Sequence, residues 1–290
     1  MKVALTVEEL PLSKGVSVIT SNEDGIVALD KPVKVLSHPN TDNDRMRSLL
    51  DAAYYYDEEV YVWKGADGVE RRAWLVNRLD SGTSGVILLA LDKEIATIIK
   101  QRFSTHKVHK MYYALVKNRP PNPTGIWADK LRKDIYNAGR VMKKAKIVAA
   151  KTRFQEVNSP LGGFPIALMK LMPVTGRTHQ LRVQCSRHGH PIIGDRSYGS
   201  FSFNREVVHE TQQRRMMLHS AETTLSYAYK GKMCEFKAVS QMPEPFRIVL
   251  DFRPGLNHGR TLPTPEDPKL APDKRAKAEG ILADRRFKTT

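Results

Sequence analysis

Only two cysteines, Cys185 and Cys234, occur in 290 residues. That is too few for a disulfide framework or a thiolate zinc site, and both are expected as reduced thiols. Long apolar runs are also missing. Val86–Leu91 ends at Asp92, far short of the roughly 18–20 residues that cross a bilayer as a helix. At the N-terminus, Glu8 and Glu9 interrupt the chain before a signal-peptide core can form, so a cytoplasmic location without membrane attachment is expected. No internal repeat is visible. Acidic residues are scarce, with 31 Asp and Glu against 47 Lys and Arg, a net charge of +16. An excess of this size predicts a polyanionic partner, nucleic acid first and an anionic membrane second.

What is present is an ordinary globular composition, 41% hydrophobic and 27% charged, with charge that is unevenly placed. Between Ala128 and Arg153 stand nine Lys/Arg (130, 132, 133, 140, 143, 144, 146, 151 and 153) against Asp129 and Asp134. Such a segment suits phosphate neutralisation and salt-dependent binding.

Patterning predicts an extended lead-in over 1–20 and a buried strand over Gly25–Asp30, ended by Pro32. A helix is expected over Asn43–Tyr56, with Met46, Leu49, Leu50 and Ala53 on one face. Strands are expected at 59–63 and 70–77, then Val86–Leu91, a helix Lys93–Ser104 and an aromatic strand Val108–Lys117. A proline loop follows at Pro120, Pro121 and Pro123, then two or three strands across 135–172. A helix over Thr178–His188 closes at Gly189, strands fill roughly 215–239, and Pro243–Leu250 forms a last helix. The tail, 255–290, has four prolines and few large apolar residues. It is expected to be largely disordered, with a helix over Asp273–Phe287. The class is α+β, one domain over 21–254.

One stretch invites a chemical interpretation: Asn77-Arg78-Leu79-Asp80-Ser81-Gly82-Thr83-Ser84-Gly85. Taken alone, Asp80 caps a turn by accepting backbone N–H bonds. The alternative is a functional carboxylate, kept ionised by Arg78 on the same face of an extended chain, beside small residues that let a ligand approach. The segment fails the Gly-x-Ser-x-Gly of a serine nucleophile elbow and has no Gly-Lys-Ser/Thr phosphate loop. His179, His188 and His190 lack a nearby Cys or acidic residue at metal-ligand spacing, so no metal is expected.

The stretch Arg78–Gly85 with Val86-Ile87-Leu88-Leu89-Ala90 resembles the active-site motif of the RluA-type pseudouridine synthases. Further segments resemble family motifs in family order. These are Asp30-Lys31-Pro32 with His38-Pro39, Lys110-Met111-Tyr112-Tyr113-Ala114-Leu115-Val116, Lys151-Thr152, Gly176–Arg182 with His190–Asp195, and Leu218-His219-Ser220-Ala221. The likeness spans about residues 20–250. Two departures stand out: Asn77 occupies a place where the family usually has His, and there is no room for the small N-terminal RNA-binding domain that some members carry.

The resemblance implies a mixed, mostly antiparallel sheet with flanking helices and a central RNA-binding cleft. It implies conversion of uridine in structured RNA, tRNA or ribosomal RNA, to pseudouridine by a monomer without cofactor. Asp80 would be the catalytic carboxylate, Tyr112 would stack on the flipped base, and Arg182 would pair with Asp80. Arg78, Lys110, His179 and Gln180 would bind substrate, with His179 and Gln180 capping a helix or touching phosphate. Lys31 and Lys110 would contact phosphate or stand in solvent. Each residue also has a plainer use: Tyr112 as core packing, Arg182 as a solvated helix face. A non-catalytic RNA-binding or ribosome-assembly factor on the same fold is the alternative function. A glycosidase would want a second carboxylate.

Overall fold

A computed structural model of the chain describes residues 7–133, 136–137, 140–141 and 146–255, with side chains described outside 132–146. The expected tail beyond 255, its helix Asp273–Phe287, and the side chains of Arg132, Lys133, Arg140, Lys143, Lys144 and Lys146 lie outside the described residues.

The chain forms β1 (Ser17–Ser21), β2 (Ile26–Lys31), β3 (Ala53–Tyr55), β4 (Val60–Lys64), β5 (Glu70–Leu75), β6 (Ser84–Ala90) and α1 (Lys93–Ser104). Then come β7 (Val108–Lys117), β8 (Thr124–Lys133), the short pair β9 (Tyr136–Asn137) and β10 (Arg140–Val141), β11 (Lys146–Asn158) and β12 (Ile166–Pro173). The last elements are α2 (Gln180–Arg187), α3 (Phe201–Thr211), β13 (Leu218–Tyr229), β14 (Lys232–Val239) and α4 (Glu244–Leu250). Twelve strands make one sheet in the order β3-β4-β5-β6-β13-β7-β12-β11-β8; β2 pairs with β6 and β1, and β14 with β13. All these pairings are antiparallel except β6 with β13, where His219 faces Ser84 and Ser220 faces Gly85. The sheet is therefore mixed and mostly antiparallel.

That parallel pair is the seam between two half-sheets, each packed on both faces. β6 is buried at all seven positions, as expected of a strand covered on both sides. Val86, Leu88 and Ala90 pack with Ile95 and Ile99 of α1; Ile87 and Leu89 pack with Leu49, Leu50 and Tyr61. In the other half, Leu181 and Cys185 of α2 cover Leu171 and Met169, while Phe203, Val207 and Phe246 cover Leu115 and Leu168 on the opposite face. At the seam the backbones touch. A Cβ on Gly85, whose φ is +104°, would lie 2.1 Å from the Ser220 carbonyl oxygen, so only glycine fits.

Three expectations need correction. The helix over Asn43–Tyr56 is a six-residue 3-10 turn, Asp42–Arg47, followed by β3. It ends at Ser48, whose backbone is extended and whose hydroxyl lies within hydrogen-bond reach of the carbonyls of Arg45 and Leu50. The tyrosines then prefer the sheet, with Tyr54 stacked on His38 at 5.0 Å and Tyr56 donating to the Pro39 carbonyl; Met46 stays exposed. Second, the lead-in enters the core, since Leu10 and Val16 are buried and β1 spans residue 20. Third, β8 and α3 form in segments for which the pattern predicts neither strand nor helix.

Candidate active site

A cleft of about 560 Å³ opens beside the seam, lined from one half-sheet by Arg78 and Asp80 and from the other by Lys110, Tyr112, His179 and Arg182. Sequence-distant motifs thus converge.

Asp80 sits in the turn entering β6, not on a strand: β5 ends at Leu75. The turn is held from below. The Ser37 hydroxyl donates to the Leu79 carbonyl at 2.7 Å and accepts from the Leu79 N–H at 2.9 Å. The Lys34 N–H donates to the Ser81 carbonyl at 2.7 Å. Asn77, in place of the family's His, accepts from the Leu88 N–H through Oδ1 at 2.9 Å, tying the turn to β6. Lys31 is neither solvated nor at phosphate. It is fully buried, and its ammonium donates to the carbonyls of Pro32 and Val35 at 3.0 and 2.7 Å. Burial pulls its pKa down to about 7, against the pull of Asp80.

Arg182 organises the charges. Its Nη1 donates to Asp80 Oδ2 at 3.0 Å, while Nε and Nη2 form a two-pronged pair with Asp195 at 2.7 and 2.9 Å. The guanidinium lies 5.1 Å over the Tyr198 ring. Asp195 is buried, which raises its pKa, but Arg182 and the N–H of Ser197 outweigh burial and hold it below the ordinary carboxylate range. The chain Asp195–Arg182–Asp80 therefore fixes a cation against one oxygen of Asp80. The other oxygen, Oδ1, has His179 Nε2 at 3.8 Å, beyond hydrogen-bond distance, and so keeps lone pairs for a ligand.

Tyr112 packs against both the core near Leu79 and the core near Leu171, while its ring also lines the cleft. Burial pushes its hydroxyl up to about 12. Arg78 is exposed at the rim. Lys110 is partly buried, its ammonium 6.0 Å over the Phe103 ring, and burial lowers its pKa. His179 adopts a left-handed conformation at the start of α2 without a side-chain cap bond; its Nδ1 lies 3.2 Å from the Tyr198 hydroxyl. Gln180 instead pins the helix start. Its oxygen accepts from Thr175 and Arg177, and its amide donates to Lys151 and Thr152. All four of its bonds are made within the protein.

The three histidines do not converge. His188 and His190 stack along Trp127, whereas His179 faces Tyr198 and Asp80. Missing from the sequence-derived set were Asp195 and Ser37. Asp195 stood in a recognised motif, but only the fold shows what it holds; Ser37 gave no signal beyond its proximity to His38-Pro39.

The cleft thus sets a carboxylate braced by an arginine beside an aromatic ring, with Arg78, Lys110 and Arg177 also in its lining. The RNA pseudouridylate synthase family model matches residues 25–187, and the chain belongs to that family. It is 32% identical over 230 residues to "tRNA pseudouridine synthase C" of Pectobacterium carotovorum subsp. carotovorum, covering 76% of this chain and 58% of the relative. The chain thus spans under two thirds of that protein. With "tRNA pseudouridine synthase C" of Haemophilus ducreyi it shares 31% identity over 70% of this chain and 82% of the relative. The solved structure titled "Human RNA Pseudouridylate Synthase Domain Containing 4" superposes with a TM-score of 0.56 at 22% identity, covering 81% of this chain and 92% of that one, a likeness of fold. Among the described residues no helix is long and apolar enough to cross a membrane.

Proposed function

We propose that the protein converts a uridine of structured RNA to pseudouridine, with tRNA as the first substrate class to test, and that it acts as a cytoplasmic monomer. The observation that carries the proposal is Asp80, held through one oxygen by Arg182 and open through the other, at the mouth of a cleft walled by Tyr112.

The reaction breaks the N1–C1′ bond, turns the uracil and joins C5 to C1′; N1 gains a proton and C5 loses one, so atoms balance without a redox partner. One ionised carboxylate suffices, either attacking the sugar or taking a proton from it. Arg182 holds one oxygen of Asp80 in position, and Asp195 keeps Arg182 in place. The target base must leave its stack at a cost of a few kcal/mol, and stacking on the Tyr112 face offsets roughly 1–3 kcal/mol of it. Arg78 and Lys110 at the rim suit the flanking phosphates, and His179, which also lines the cleft, suits a phosphate of the same RNA.

The test is to incubate the purified protein with unmodified tRNA and ribosomal RNA transcripts and map pseudouridine. Product at a defined uridine supports the proposal. A non-catalytic RNA-binding factor would retain RNA and form none.

A further inference from the structure

A second cavity, of about 730 Å³, lies outside the catalytic cleft. Residues paired across strands share a face of the sheet. Leu171 pairs with Tyr112, and Lys170 with Tyr113, so Lys170 lies on the face opposite the Tyr112 ring. The registers extend that back face from strand to strand. Lys170 meets Gln155, and Met172 meets Arg153. Met111 meets Glu222, and His109 meets Thr224; Thr224 in turn meets Lys237. Further along the same face, Leu115 and Leu168 are covered by Phe203 and Val207 of α3. The cover ends where the face turns basic, and Arg153, His109 and Lys237 are exposed.

The charge on this band is nearly of one sign. Lys110, Arg153, Lys170 and Lys237, with His106 and His109, line the groove against a single acid, Glu222. That carboxylate lies 3.3 Å from the Lys237 ammonium. Arg153 and Lys170 have no anionic partner among the described residues. Cations aligned along an open groove, and not neutralised by the fold, suit a run of phosphates. Lys110 and Pro173 line both this groove and the catalytic cleft, so the two meet at a shared rim.

We infer that the back-face groove holds the phosphodiester backbone of the substrate RNA outside the target nucleotide. RNA leaving the cleft at Lys110 crosses the rim and lies along Arg153 and Lys170. The inference rests on the proposed function and adds to it a second contact surface, one that a minimal hairpin cannot reach.

The experiment compares wild type, the double variant Arg153→Gln/Lys170→Gln and the control Lys232→Gln, whose lysine opens β14 and does not line the groove. Affinity is measured from low to high salt for intact tRNA transcripts and for stem-loops excised from them. Removing two phosphate contacts should weaken binding of the intact tRNAs about 10-fold or more. It should also reduce the slope of log K against log salt by roughly 1.5. The stem-loops should bind the double variant as they bind wild type, and the control should match wild type throughout. Unchanged affinity and slope for intact tRNA overturns the inference; so does an equal loss on the stem-loops. Failure of the proposed function would show differently, as wild-type protein that forms no pseudouridine whatever the groove variants do.

Discussion

Ser37→Ala removes one hydroxyl and with it a hydrogen-bond partner of both backbone polar groups of a buried residue, Leu79. That hydroxyl accepts from the Leu79 N–H and donates to the Leu79 carbonyl, and Ser37 and Leu79 are both buried. Each buried group left unpaired costs about 1–3 kcal/mol. The carbonyl has a second lone pair, and both residues border the cleft, so water can reach part of the gap. The low end of the sum, about 2 kcal/mol, is therefore the expected loss in urea unfolding. Asp80 is the next residue, and a catalytic group displaced by as little as about 1 Å can lose 10²-fold in rate. Single-turnover pseudouridine formation at saturating RNA should accordingly fall roughly 10- to 100-fold, with RNA affinity retained. A variant less than about 0.5 kcal/mol weaker, with wild-type turnover, would refute the idea that Ser37 sets the position of Asp80.

Other perturbations test the remaining parts. Asp195→Asn leaves Arg182 without its two-pronged anion; breaking a buried pair this way should cost about 3–5 kcal/mol, read by thermal or urea unfolding, and activity should collapse with it. Arg182→Lys cannot span Asp195 and Asp80 together, and its turnover should fall about 10²-fold even where the fold survives. Tyr112→Ala should reduce kcat/KM by about 10- to 100-fold through lost stacking of roughly 1–3 kcal/mol, whereas Tyr112→Phe should retain most activity. Burial pulls His219 down to about 4, the carbonyl of Ser240 opposing. Because the unfolded chain binds that proton near pH 6.5 and the folded chain does not, stability should fall as pH drops from about 6.5 to 4, by up to ~3 kcal/mol from this group. His219→Asn should flatten that slope; an unchanged slope would reject the assignment.

The elements that were legible in the sequence are those whose local pattern and burial agree. The apolar run of β6 is buried on both faces, and α1 covers the expected Lys93–Ser104, started by Asp92 accepting from the N–H groups of Glu94 and Ile95. Where long-range partners decide, local pattern misled. The Leu49-Leu50 pair read as one face of a helix, yet both are buried beneath a strand of tyrosines that pairs with β4. In α3 the spacing Phe203, Val207, Thr211 marks the buried face, but Ser200 makes no side-chain cap and the polar residues between hid it. The charge of Ala128–Arg153 drew attention from its alternation, which carries β8 and β11.

The site divides in the same way. Asp80, Tyr112 and Arg182 could be brought together only through family-like motifs, because nothing local says that residues so far apart in the chain meet. What braces them, Asp195 on Arg182, Asn77 on β6 and Ser37 on Leu79, depends on side-chain directions that spacing does not encode. Gln180 shows the reverse. A residue in a recognised motif, it is committed to holding the start of α2 and to the Thr152 hydroxyl.

The most direct measurement is Asp80→Asn, an isosteric change that keeps the turn and removes the charge facing Arg182. Pseudouridine formation on a tRNA that the wild-type protein modifies should drop to background, while the affinity for that tRNA and the unfolding midpoint stay close to wild type. Product above background from this variant would contradict the assignment of Asp80 as the catalytic carboxylate.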